Sequence, residues 1–123
     1  MYKFSKRSKD RLRTCHPLLE QLCNDALATQ EMDITVLCGY RNEDEQNKLY
    51  EQGISPLKGG ESKHNEYLSR AVDIAPYPID WNDTARFDKL AELMKRLAQE
   101  KAIKIKWGGD FSYYDGVHFE LED

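Results

Sequence analysis

Apolar and polar residues alternate at two different periods along this chain, and each change of period marks an element. Leu18, Leu19, Leu22, Cys23, Ala26 and Leu27 recur at three- and four-residue steps. That spacing predicts a helix entered at Pro17, a residue suited to a first turn. Phe87, Leu90, Met94, Leu97 and Ala98 repeat the pattern and predict the longest helix, over Asn82 to Lys101. Ser5 is placed to cap a short first helix running to about Thr14. Asn42 caps another, with acids in its first turn and Gly53 as its stop. The remaining apolar runs suit strands. Asp33 to Tyr40 is rich in β-branched and apolar residues and predicts a buried strand. Arg70 to Tyr77 predicts a second, ended by Pro76 and Pro78. Ile103 to Trp107 alternates apolar and basic residues, as a half-exposed strand does, and Val117 to Leu121 alternates again. Between these elements, "ISPLKGGESK" and "GGDFSYYDG" read as glycine-containing loops, the first of them mobile. Helices come first and between strands, and the strands gather in the second half. The expected class is α+β: a small antiparallel sheet with helices packed on one side.

With 123 residues the chain is expected to form a single domain, residues 1–123. Eighteen Lys and Arg against 22 Asp and Glu give a net charge of −4, which argues against a nucleic-acid-coating protein. The first 13 residues are locally basic, a solvated helix face or a weak attraction to an anionic surface. No apolar run approaches the roughly 20 residues of a membrane helix, so no membrane insertion is expected. Met1 leads into charge rather than an apolar segment, so synthesis in the cytoplasm without a signal peptide is expected. Three cysteines, Cys15, Cys23 and Cys38, lack zinc-knuckle spacing and read as buried free thiols.

One residue breaks the apolar pattern. Asp73 sits inside "AVDIA", and a carboxylate in a buried strand needs a partner or a cation. An arginine such as Arg41 or Arg70 is one candidate, and an edge position facing water is another reading. The three histidines offer a third. His16 precedes Pro17 at a helix start and reads as structural. His64 lies in a polar, glycine-rich stretch just before the Asp73 strand, and His118 lies in the last strand. His64, Asp73 and His118 together supply two imidazoles and one carboxylate. Three protein ligands with an open position is the usual make-up of a catalytic zinc site, where the ion lowers the pKa of its water to about 7. A nearby carboxylate must then take the proton. Asp115, three residues before His118, is the preferred base, and Glu120 is its rival on the same strand face. Arg41 ends a strand with Gln46 one turn into the next helix. It suits a substrate carbonyl or carboxylate, or else a surface pair with Glu43 or Glu45.

These residues resemble the zinc D-Ala-D-Ala carboxypeptidases and L-alanyl-D-glutamate endopeptidases (VanY-like) that cut peptidoglycan stem peptides. The family pattern is Ser-x-His, then Ala-x-Asp, and later Glu or Asp-x-x-His. Here it appears as "SKH" (Ser62–His64), "AVD" (Ala71–Asp73) and "DGVH" (Asp115–His118), with Gly39, Tyr40, Arg41 and Gln46 upstream. The likeness spans about residues 5 to 121 and looks closest to compact phage endolysins. One departure is the stretch "NEYLSRAV" between His64 and Asp73, two residues longer than in many members and without their glycine. The resemblance implies one zinc ion on His64, Asp73 and His118, with Asp115 as general base and Arg41 on the polarised carbonyl. It implies Gln46, Ser62 and Trp107 in the cleft. It further implies a monomer that acts on the cell wall after holin-type release and cleaves the L-alanyl-D-glutamate bond. Rival readings are a D-Ala-D-Ala carboxypeptidase or dipeptidase, a non-catalytic zinc module of the Hedgehog type, and a structural protein whose three ligands never meet. A mere binder needs neither Asp115 nor Arg41.

Overall fold

A computed structural model describes residues 1–123. Its elements follow the order α1 (Lys6–Leu12), α2 (Pro17–Ala28), β1 (Ile34–Cys38), α3 (Glu43–Glu51), β2 (Ala71–Pro76), α4 (Thr84–Glu100), β3 (Ile105–Trp107) and β4 (His118–Leu121). The expected α+β class holds. The four strands form one sheet in the order β1-β2-β4-β3, and every pair is antiparallel.

The alternation along the two central strands creates two different faces. Val72 and Ile74 of β2, with Phe119 and Leu121 of β4, join the core formed with Leu19, Leu22 and Cys23 of α2 and Leu90 and Met94 of α4. Asp73, His118 and Glu120 occupy the intervening positions and face away from that core. Leu18 is the exception in the predicted α2 stripe, since it is partly exposed.

The strand expected over Asp33 to Tyr40 forms as β1, with Ile34 and Val36 buried, and it lies at the sheet edge. Helix α1 covers that edge. The Ser8 hydroxyl accepts from the Val36 amide at 3.0 Å, and Arg11 donates to the Val36 carbonyl at 2.9 Å. Side chains thus satisfy backbone groups that an edge strand otherwise offers to other chains. The close seat of α1 explains Gly39, because any Cβ there would collide with Thr14 and the Arg11 carbonyl.

The loop read as mobile is pinned. The buried Gln46 amide donates to Ser55 Oγ at 3.0 Å and to the Leu57 carbonyl at 2.8 Å. The long stretch after His64 is likewise tied down. Ser69 exchanges backbone bonds of 2.8 Å with Thr14 and His16, and the Asn65 amide donates to the Arg41 carbonyl at 2.8 Å.

Candidate metal centre and active site

Sheet register builds half of the site. Asp73 on β2 stands directly opposite His118 on β4, and Ala71 stands opposite Glu120. His64 comes from a 3₁₀ turn, Lys63–Asn65, capped by Ser62, whose Oγ accepts from the His64 amide at 3.2 Å. The His64 ring is then oriented by Gly39. Its Nδ1 lies 2.8 Å from the Gly39 carbonyl, which can only accept, so Nδ1 is the donor and Nε2 is aimed at Asp73. His64 Nε2 reaches Asp73 Oδ1 at 3.1 Å, and His118 Nδ1 reaches the same oxygen at 3.3 Å. Two imidazoles from different elements therefore converge on one carboxylate oxygen.

Three of the alternatives for Asp73 are resolved by this geometry. It is not at an edge, because β2 is central and Asp73 is buried. It does have an arginine, since Arg41 Nη2 lies 3.4 Å from Oδ2, but the two histidines hold its other oxygen. Arg70 pairs elsewhere, with Glu66 and Asp123.

The electrostatics of the cluster call for a cation. Burial alone would push Asp73 up, yet the charge and hydrogen bonds of His64 and His118 hold it well below the usual carboxylate range. Burial works against a charged His64 as well, but Asp73 overrides it and raises the imidazole to about 10. His118 is raised in the same way, against its burial, by hydrogen bonds to Asp73 and Glu120. Protons here neutralise what a metal ion would neutralise, and metal binding must displace them. Two nitrogen donors and one oxygen donor, buried and convergent, fit a zinc ion with open positions left over.

Asp115 stands beside this centre. Its Oδ2 lies 4.0 Å from His118 Nδ1, and its side chain is partly open to solvent. Ligand atoms of Asp73, Asp115 and His118 fall within 4.8 Å of one another. Burial and the Asp73 charge raise the Asp115 carboxyl, as suits a proton acceptor working near neutrality. The loop is fixed by backbone: Asp115 donates to Gly108 at 3.0 Å, and Trp107 Nε1 donates to Gly116 at 2.9 Å. Glu120 is engaged elsewhere: its Oε1 holds His118 Nε2 at 2.8 Å and its Oε2 pairs with Lys63 at 3.2 Å. A cleft of about 450 Å³ opens over these groups, lined among others by Arg41, Ser62, Lys63, Asp115 and Tyr113.

The sequence model of the phage L-alanyl-D-glutamate peptidases matches residues 1–122. The chain belongs to that family. It is 31% identical to the L-alanyl-D-glutamate peptidase of Escherichia phage T5, covering 98% of both chains. It is 30% identical to the peptidoglycan L-alanyl-D-glutamate endopeptidase CwlK of Bacillus subtilis (strain 168), over 86% of this chain and 72% of that one. Among solved structures, the L-Ala D-Glu endopeptidase ChiX of Serratia marcescens superposes with a TM-score of 0.84 at 28% identity, covering 98% and 90% of the two chains. A variant of the vancomycin-resistance D,D-pentapeptidase VanY, in complex with Zn(II), shares the fold with a TM-score of 0.57 at 17% identity, covering 98% and 73%.

Within this peptidase two of the expected cleft residues lie elsewhere. Gln46 is fully buried, and its Oε1 accepts from Arg41 Nη1 at 2.9 Å, so it aims the arginine from beneath. Trp107 is buried in the core and braces the Asp115 loop through Gly116. Ser62 does line the cleft, while its hydroxyl caps the His64 turn. Arg41 pairs with neither Glu43 nor Glu45. Sequence reasoning missed Cys38 as a neighbour of the site. A bulge between Val36 and Cys38 shifts the register so that Cys38 pairs with Asp73, and its Sγ clusters with His64 and Asp73. It is half-buried, unlike the buried Cys15 and Cys23. It also missed what Glu120 does, although the His-x-Glu spacing on one strand face was the available signal.

Carboxylates behind metal-binding imidazoles typically contribute 10–100-fold in affinity, so Glu120→Ala is expected to weaken metal binding by about that factor. Competition against a chelating dye measures it, and unchanged affinity would show that Glu120 does not support His118.

Proposed function

We propose that this peptidase hydrolyses the L-alanyl-D-glutamate bond of peptidoglycan stem peptides with one zinc ion held by His64, Asp73 and His118. The carrying observation is the convergence of both imidazoles on Asp73 Oδ1 with Asp115 alongside. When bound, the ion supplies Lewis acidity and acidifies water. The remaining work belongs to the chain's own side chains. Asp115 takes the proton and later returns it to the departing amine. Arg41, held by Gln46, stabilises negative charge growing on the scissile carbonyl oxygen. Glu120 and Gly39 fix the ring orientations of His118 and His64. Lys63 and Arg41 on the cleft wall suit the carboxylates of a D-glutamate-containing peptide. The phage family supports a bacterial cell-wall substrate and an endolysin role after holin-type release.

Exhaustive chelation is expected to abolish cleavage of a stem peptide, and one equivalent of zinc per chain is expected to restore it. Full turnover by metal-free protein would overturn the proposal.

A further inference from the structure

Beside the cleft lies a second pocket of about 200 Å³, lined by Trp81, Phe87, Tyr114, Asp115, Gly116 and Val117. It shares Tyr114, Asp115 and Val117 with the cleft, so it is continuous with the site at the base. Its walls are two exposed aromatics, each braced by a buried one. Trp81 is 62% exposed and stacks on Phe87 with ring centres 5.7 Å apart and an interplanar angle of 17°. Tyr114 is 59% exposed, packs edge-on against Trp107 and leans on Gly116, where a Cβ would strike its ring. Rings braced in this way meet a ligand with little loss of side-chain freedom.

Polarity divides the two halves of the site. The cleft side is densely charged, with Arg41 and Lys63 as its cations, paired with Asp73 and Glu120, and Glu61 on the same wall, whereas the aromatic pocket carries no charge apart from Asp115. A stem peptide has the same division. Beyond the scissile bond it carries the free α-carboxylate of D-glutamate, whose γ-carboxyl continues the stem. Before the bond lies a single L-alanine, acylated by the lactyl group of an uncharged N-acetylated amino sugar. One residue and a lactyl group span only about 7 Å when extended. A peptide laid with its acids toward Arg41 and Lys63 therefore brings the sugar to the aromatic pocket. There the apolar face of the ring can cover Trp81, and the acetyl methyl has apolar surface to meet.

We propose that Trp81 and Tyr114 form a subsite for the N-acetylated amino-sugar ring that bears the stem peptide. This subsite rests on the L-alanyl-D-glutamate reading and determines which form of the substrate is preferred. It makes the protein a hydrolase of glycan-attached stems more than of free peptides.

The test compares two substrates: an N-acetylated stem peptide, and the same peptide amide-linked to N-acetylmuramic acid. The wild-type protein is expected to favour the sugar-bearing form by about tenfold in kcat/KM, chiefly through KM. Trp81→Ala is expected to bring that ratio close to one, while Trp81→Phe keeps most of it. Trp81 is exposed, and circular dichroism confirms that its variants fold. In parallel, titration of the metal-loaded protein with the peptide-free disaccharide N-acetylglucosaminyl-N-acetylmuramic acid is expected to change the tryptophan fluorescence, and Trp81→Phe is expected to remove that change. A wild-type ratio near one, a ratio untouched by Trp81→Ala, or a fluorescence flat to the disaccharide would overturn the subsite and leave the peptidase standing. Cleavage of neither substrate would overturn the peptidase reading instead, and the titration would still decide whether the sugar binds.

Discussion

Asp73→Asn is expected to lose metal and turnover together. Asp73 is the one group that touches both histidines, through a single oxygen. It raises His64 chiefly through its charge and His118 through a hydrogen bond acting alongside that of Glu120, so the neutral amide removes a ligand and weakens the hold on the other two. Outer partners of metal ligands cost 10–100-fold when lost; a ligand at the centre should cost more, at least about 10³-fold in metal affinity and in kcat/KM. Asn keeps the side-chain volume, and Val72 and Ile74 still pack into the core on either side, so the strand survives. Metal analysis after equilibrium dialysis, set beside kcat/KM, measures both losses. Full occupancy with normal turnover would refute the ligand role.

Asp115→Ala should separate the two properties. Asp115 lies on the loop, 4.0 Å from His118, and is not one of the two groups that grip His118 most closely. Metal content should stay near one ion per chain. A positioned general base is worth about 10²–10⁴ in rate, and kcat should fall by that factor with KM little changed. The variant is benign for folding, because the loop is held by its own backbone and by Trp107. Normal cleavage by Asp115→Ala would assign the base to another residue. Glu120 would be a costly substitute, since it is committed to His118 and Lys63.

The sequence revealed the site more clearly than its supports. Asp73 could be found because a charge inside an apolar alternation has few physical excuses. His118 could be grouped with it by ligand chemistry and by the family motif, while the pairing that sets it opposite Asp73 is seen only in the sheet. The helices were readable from capping and period: Ser5 and Asn42 cap α1 and α3 as expected, and Asn42 adds a full capping box. What stayed hidden depended on contacts distant along the chain. β1 read as buried because its residues are apolar, and nothing in them shows that it lies at the sheet edge with α1 covering it through Ser8 and Arg11. Cys38 looked like a core thiol because a single-residue bulge, invisible in the pattern, turns it toward Asp73. Gln46 and Trp107 were placed in the cleft by family likeness. Both instead act from behind it, one holding Arg41 and the other the Asp115 loop.

The central claim is tested most directly by mass spectrometry of a purified stem peptide after incubation with zinc-loaded protein. The account predicts one cut, giving an L-alanine-terminated fragment and a new peptide that begins with D-glutamate. Release of D-alanine alone, with the L-alanyl-D-glutamate bond intact, would contradict it and make the protein a carboxypeptidase on the same fold.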